Sequence, residues 1–139
     1  MNGVIAVRSL MVGDLRVTAL VPPERIAAGT LPQGTVLPAI ALTSISSVDR
    51  NVPSPGPKRR VSERVQVTVL ARAYPEAKAI IAAIRGAAAD QMPVIDGLTE
   101  VAVHTDSAGP DFLDEETGIH MQTQDFRVSF NEARLASPS

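Results

Sequence analysis

A chain of 139 residues with a formal net charge of -2 is long enough for one packed domain and too short for two independent cores. Hydrophobic residues make up 45% of it, which predicts a globular core and excludes wholesale disorder. Three Phe, one Tyr and no Trp leave few rings for base stacking, and the charge balance lacks the basic footprint of proteins that coat nucleic acid. The absence of Cys excludes disulfides, zinc–thiolate sites and thiol nucleophiles.

The N-terminal segment carries apolar residues that are interrupted by Arg8, Asp14 and Arg16. Further along the chain, Pro, Gly or charge breaks every apolar run before it reaches the length of a membrane span. We therefore expect no export signal, no membrane contact and a soluble product of the cytoplasm.

The first half of the chain predicts one helix and one strand. Apolar spacing indicates a helix over Val4–Met11, and Pro22 and Pro23 then force extended backbone. We expect an irregular crossing over Glu24–Val36. The uncharged, β-branched segment Leu37–Val48 indicates a strand that is largely covered on both faces.

A loop separates this strand from the next. Residues 50–60 are rich in proline and basic residues, which predicts an extended, mobile hairpin loop. Alternation over Val61–Ala73, broken only at Glu63 and Leu70, indicates a strand with one buried face. Helical spacing of apolar residues then predicts a helix over Pro75–Asp90.

The last third of the chain predicts two more strands. The first runs over Leu98–Asp106 and is followed by an acidic loop over about 106–118. In the second, Ile119 and Met121 stand at odd positions, whereas the later apolar residues are even, which predicts a β-bulge near Gln124 and Asp125. The small, polar tail at about 133–139 is expected to fray.

Together these elements predict one domain over residues 1–139. Their order favours an α+β fold in which a four-stranded antiparallel sheet carries helices on one face.

Two histidines, His104 and His120, stand on separate predicted strands, with Asp106, Asp111 and Asp114 nearby in sequence. A metal site, and with it a metal-dependent accessory enzyme, is therefore conceivable. The simpler interpretation is that both imidazoles are solvated, because both lie on the polar phase of their strands. The chain has no nucleophile elbow and no phosphate loop, so neither a catalytic residue nor a cofactor is expected.

Charge is unevenly distributed along the chain. The basic cluster surrounds the first hairpin: Arg50, Lys58, Arg59, Arg60 and Arg64. The acidic cluster stands on the second connection: Asp106, Asp111, Asp114, Glu115 and Glu116. These clusters can simply be two solvated loops that keep the protein soluble. Alternatively, opposite patches on different edges of one subunit can meet head to tail and close into a ring.

Three stretches resemble the small tail terminator, or tail completion, proteins of long-tailed bacteriophages and prophages: RIAAGTLPQGTVLPAIALTSIS, RVQVTVLARAYPEAKAIIAAIR and ETGIHMQTQDFRVSF. The matching positions in the first are Arg25, Ile26, Leu31, Pro32, Gln33, Gly34, Leu37 and Pro38, and in the second Tyr74, Ala77 and Ala79. Segments 51–57 and 109–116 are of the kind that varies most in such proteins, so the resemblance implies no specific contact there.

The resemblance implies a structural virion protein: a hexameric ring that caps the head-proximal end of the tail tube, stops tube polymerisation and joins the tail to the head connector. Its partners would be other copies of the chain, the tail tube protein and the head–tail connector protein, with assembly in the bacterial host cytoplasm. Viral DNA would pass through the lumen without specific binding. A head–tail joining, or neck, protein is the alternative of similar shape.

The passage of DNA constrains the charge of such a lumen. Positive charge along the wall would hold phosphates and slow the strand. We therefore expect a neutral or acidic inner wall formed by the acidic cluster, and the basic cluster in contacts with other subunits or the tube.

Overall fold

The computed structural model describes residues 2–51, 53 and 56–134. The helices are α1 (Asn2–Val12), α2 (Leu15–Thr18) and α3 (Tyr74–Ala88), with a 3₁₀ turn at Pro23–Arg25. The strands are β1 (Ile26–Ala28), β2 (Ala39–Arg50), β3 (Lys58–Ala71), β4 (Leu98–Ala108), β5 (Phe112–Asp114) and β6 (Ile119–Ala133). None of the helices in these ranges is both long and apolar enough to cross a bilayer.

The strands form one sheet in the order β1-β2-β3-β6-β4, and β5 pairs with the remaining end of β6. All pairs are antiparallel except β1 with β2. The α+β class is confirmed, but the sheet has six strands where four were expected. Both additional strands, β1 and β5, have only three residues, which is too short to show a periodic pattern in the sequence.

One face of the sheet is covered by helices. The alternation in β3 buries Val61, Val65 and Val67 on that face, as the sequence predicted. Helix α3 lies across it and buries Ile80 and Ile84. Helix α1 packs beside α3 on the same strands, so helices on one face, a part of the predicted fold, are confirmed.

In the hairpin between β2 and β3, the strands are longer and the loop is shorter than the sequence predicted. Strand β2 continues to Arg50 and β3 begins at Lys58, with Arg50 opposite Arg60. The ends of the expected loop at 50–60, Arg50 and Lys58 to Arg60, therefore belong to strands. The cause is that β3 pairs with β6 from Lys58 and also with β2 from Arg60, and these backbone hydrogen bonds hold a charged sequence extended.

The acidic loop at 106–118 and the tail at 133–139 also begin later than predicted. Asp106 belongs to β4 and Asp114 to β5. Strand β6 continues to Ala133, and the backbone N–H of Arg134 donates to the carbonyl of Pro57 at 2.9 Å. Residues 135–139 lie outside the described residues.

The predicted β-bulge near Gln124 and Asp125 is wrong. Strand β6 stays in continuous register with β3 along its whole length, and the even positions remain on the helix-covered face. Gln124 takes an inward position as a buried polar residue that accepts from Arg85 Nη1 at 2.8 Å. The irregularity lies in the neighbouring strand, between Thr105 and Ala108 of β4. A second bulge, around Ile45, interrupts β2.

A carboxylate is buried where α1 begins. Glu63 is 2% exposed, and its Oε1 accepts from the backbone N–H of Gly3 at 3.1 Å. The first turn of a helix has unsatisfied N–H groups and a positive dipole end, so an anion is stabilised there. A Cβ on Gly3 would lie 2.8 Å from Cδ and Oε2 of Glu63. A methyl group at this position would push the Glu63 carboxylate away from the N–H of Gly3.

We expect Gly3→Ala to destabilise the fold by about 1–3 kcal/mol, because the added methyl has no space beside Glu63. The matched control is Gly86→Ala in α3, where the new Cβ would meet only the exposed end of Arg16. That control should stabilise the fold by up to about 1 kcal/mol through helix propensity. Urea unfolding of both variants measures the difference. Equal stability of Gly3→Ala and the unmodified chain would contradict the packing described here.

Candidate assembly surfaces

Part of the basic cluster lies on strands at one end of the sheet. Lys58 Nζ donates to Thr99 Oγ1 at 3.3 Å, and Arg60 Nη1 donates to the carbonyl of Glu100 at 2.9 Å. Among the described residues, neither these two cations nor Arg50 has a carboxylate within salt-bridge distance. These three cations therefore have no direct ion pair, although the carboxylates of Glu100 and Glu132 lie at the same end of the sheet.

Arg59 points to the other face of the hairpin. Its Nε lies 3.8 Å from Oδ2 of Asp49, and both side chains are about a third or more exposed. An exposed pair at this distance contributes little to stability. Arg59 thus remains accessible to a partner.

The face of the sheet away from the helices, here called the open face, carries a charged network. Arg64 Nε donates to Asp125 Oδ2 at 2.7 Å, and Arg127 Nη2 donates to Asp106 Oδ2 at 3.1 Å. Arg64 Nε is also 3.8 Å from Asp106 Oδ2, which joins the two pairs. The expectation that the basic and acidic clusters occupy different edges is therefore wrong for Arg64 and Asp106. Strand β6 lies between β3 and β4 and brings their side chains together.

The other acidic residues lie at the far end of the sheet. Asp114 pairs with Ile119 at the start of β6, whereas Lys58 pairs with Ala133 at its end. At roughly 3.3 Å per residue, the two pairs are about 45 Å apart along the strand. Glu115 and Glu116 follow Asp114 in an exposed turn. The far end thus carries an acidic turn, whereas the end at Lys58 carries cations together with Glu100 and Glu132.

Asp111 is held within the subunit by two side chains of α3. It accepts from Lys78 Nζ at 2.8 Å and from the hydroxyl of Tyr74 at 2.7 Å. The hydrogen bond from Lys78 is the main cause that lowers the pKa of Asp111, and the same bond raises the pKa of Lys78. Both groups are therefore charged across the neutral range, which suits a fixed ion pair rather than proton transfer.

The two histidines are not brought together. His104 Nδ1 lies 2.9 Å from Asp90 Oδ1, whereas His120 packs edge-on against Tyr74 with ring centroids 6.1 Å apart. His104 pairs with Arg127, seven residues from His120 on β6, so about 23 Å of strand separates them. Within the described ranges no three His, Cys, Asp or Glu side chains form a group that could hold a metal ion.

Sequence reasoning missed six exposed apolar side chains at the sheet edges, two of which, Phe112 and Leu113, lie on β5. Ile45 and Val48 lie on the distal half of β2, which was expected to be covered on both faces and is exposed from Thr43 onward. Met92 and Val94 follow α3 beside β4. The Ser- and Thr-rich composition of residues 43–47 was the one signal that the distal half of β2 is exposed.

The comparisons with known proteins agree with an assembly role. No curated protein matches this chain. The solved structure "Virion of native gene transfer agent (GTA) particle" contains a similar chain, with a TM-score of 0.73 and 17% identity over 92% of this chain and 93% of that chain. At this identity the likeness shows the fold alone.

The sequence model of the family "Tail completion protein gp17" matches residues 5–130. Because this match covers most of the chain, the protein belongs to that family of phage tail structural proteins. The resemblance noted in the sequence is confirmed.

We expect Arg64→Met to destabilise the fold by about 1–3 kcal/mol, because it leaves the carboxylate of Asp125, 4% exposed, without its cation. The expected loss of stability is smaller than for a fully buried ion pair, because the Arg64 side chain is 38% exposed. Arg127→Met is the control, since its partner Asp106 is 29% exposed, and it should cost less than about 1 kcal/mol.

Guanidinium unfolding measures both variants. Adding Asp125→Asn to Arg64→Met should recover part of the loss, because the uncompensated charge is removed. Equal losses for Arg64→Met and Arg127→Met would show that Asp125 does not depend on Arg64.

Proposed function

We propose that the protein is the subunit of a ring of about six copies that caps the head-proximal end of a phage tail tube. The ring stops tube polymerisation and joins the tail to the head connector. The observation that carries this proposal is the match to the tail completion family over residues 5–130. Assembly takes place in the bacterial cytoplasm, and the mature protein is a virion component at the head-proximal end of the tail.

Such a role requires surfaces rather than chemistry. A tail tube is an open stack of rings with an unsatisfied terminal face, and a ring that matches this face on one side and differs on the other ends growth by geometry. The charged side chains on the open face pair with one another, as Arg64 does with Asp125. We infer that the protein has no enzymatic activity and uses no cofactor.

The two ends of the long strands differ in the charged side chains that they expose. Lys58, Arg59 and Arg60 lie at one end, and Asp114 to Glu116 lie at the other. Since the tube protein and the connector protein meet a terminating ring from opposite sides, this polarity offers each a different surface. We propose that the basic end, with Arg50, forms subunit or tube contacts. Arg64 acts mainly within its own subunit.

The lumen wall is proposed to be neutral or acidic. A wall rich in free cations would bind the phosphates of passing DNA and slow its exit. Asp106, Asp111 and the acids of the following turn are the candidates to face the lumen. Because Arg64 and Arg127 pair with Asp106 and Lys78 pairs with Asp111, the net negative charge of that wall would come from Asp114, Glu115 and Glu116.

The tube-capping experiment tests this function directly. Tail tube protein is polymerised with and without the purified chain, and tube lengths and ends are measured by negative-stain electron microscopy. We expect shorter tubes with extra density at one end when the chain is present. A chain that leaves tube ends bare but is retained by isolated connector would instead be a head–tail joining protein.

The charge-reversal variant Lys58→Glu, Arg59→Glu, Arg60→Glu should remain folded, because these side chains lie at the surface and none is buried. We expect at least a tenfold loss of capping, since the variant presents acidic side chains to a tube surface that would bind basic ones. The control Asp114→Lys, Glu115→Lys, Glu116→Lys changes the opposite end and should retain capping. If the first variant caps tubes normally, the basic end does not contact the tube.

A further inference from the structure

We propose that neighbouring copies contact each other through opposite edges of the sheet. In this contact Ile45 and Val48 of one copy pack against Met92 and Val94 of the next. The inference rests on the proposed ring and names the surfaces that would close it.

The β2 edge is open along its distal half. Strand β1 pairs only with Ile40 to Leu42, and beyond that point no described strand lies on the outer side of β2. The apolar side chains on this stretch are exposed, Ile45 by 49% and Val48 by 61%. An unpaired strand edge with exposed apolar side chains is a site where another chain binds, and soluble proteins otherwise protect such edges.

The opposite edge of the sheet carries a second apolar pair. Gln91 forms an isolated antiparallel bridge with Val103 of β4, and the chain then runs along this edge. Val94 is 96% exposed and Met92 is 76% exposed. Exposure this complete is unusual for side chains of this kind, since either would gain about 1.5–3 kcal/mol from full burial.

The two patches lie at the same height on the sheet. Reading across the strands, Val48 pairs with Ser62, Ser62 with Ser129, and Ser129 with Ala102. Ala102 is next to Val103, the bridge partner of Gln91, so Met92 is close to the row that contains Val48. A contact between edges at equal height relates successive copies by rotation with little rise. Such a heterologous contact closes into a ring where the rotation between copies divides a full turn.

The direction of the chain and its charges fit the same contact. Strand β4 is antiparallel to β2, and the segment after Gln91 is antiparallel to β4, so this segment runs parallel to β2. Arg50 lies two residues after Val48, and Asp96 lies two residues after Val94. Neither has a salt-bridge partner in the part of the chain that the structure describes. With Val48 level with Met92, parallel alignment places Arg50 of one copy level with Val94 of the next and about two residues from Asp96, so a cation lies near an anion.

The absence of Cys makes cross-linking a sharp test. Val48→Cys is combined with Met92→Cys or with Val94→Cys, the protein is oxidised, and the products are separated on a non-reducing gel. Within one copy, β2 and β4 are separated by two strands and are about 14 Å apart, too far for a disulfide. We therefore expect a ladder of cross-linked copies in at least one pair, which reduction returns to monomer.

Two kinds of control interpret the ladder. The single variants Val48→Cys and Val94→Cys should not cross-link, because a heterologous contact never brings like positions together. The matched pair Leu15→Cys with Met92→Cys places one thiol on α2, 84% exposed and away from the β2 edge, and should give no ladder. Dimers from the Val48→Cys variant alone would show a two-fold contact and overturn the inference.

Light scattering separates the failure of this inference from the failure of the proposed function. In the unmodified chain we expect a mass several times 14.7 kDa, and in Val94→Asp a mass close to that of one copy. If the protein is oligomeric but neither cysteine pair cross-links, the proposed ring stands and the proposed edge contact is wrong. If the chain stays monomeric and does not cross-link, the proposed edge contact is also wrong. The tube-capping experiment then still tests the proposed function.

Discussion

The structure depends on the pairing of β3 along both of its sides. Every residue from Lys58 to Ala71 has a partner on β6, and the part from Arg60 onward also pairs with β2. This double pairing fixes the register, and a slip by one residue would move every side chain to the wrong face. The same register places Glu63 under the start of α1 and Arg64 beside Asp125. Core, helix approach and open-face charges thus follow from one strand.

The assembly surfaces are the parts of the sheet that neither the helices nor the ion pairs within the subunit occupy. Helices cover one face, and the open face satisfies its charges internally through Arg64, Asp106 and their partners. The edges and the two strand ends remain. They carry different chemistry, because the edges expose apolar side chains and the ends expose charged ones. A subunit with two unlike edges and two unlike ends is suited to a ring that also binds different partners above and below.

The sequence predicted the elements that repeat and missed those that depend on distant contacts. The alternation in β3 and the helical spacing in α3 were sufficient, since both patterns span many residues. The phase change in β6 was misread because Gln122 and Gln124 are polar residues on an inward face, and burial of Gln124 depends on Arg85, 39 residues away. Arg64 and Asp106 were assigned to separate edges, because only the strand order shows that β6 lies between them. The apolar edges likewise depend on which strands finish without neighbours.

The central claim is that this protein acts by contact between its own copies at the end of a tail. Cryo-electron microscopy of assembled tails, with the chain located by a tag on a complementing copy, tests it most directly. The account predicts one closed ring of about six copies at the head-proximal end, with the β2 edge of each copy against the β4 edge of the next. Density for a single copy, or tails of normal length joined to heads without this chain, would contradict it.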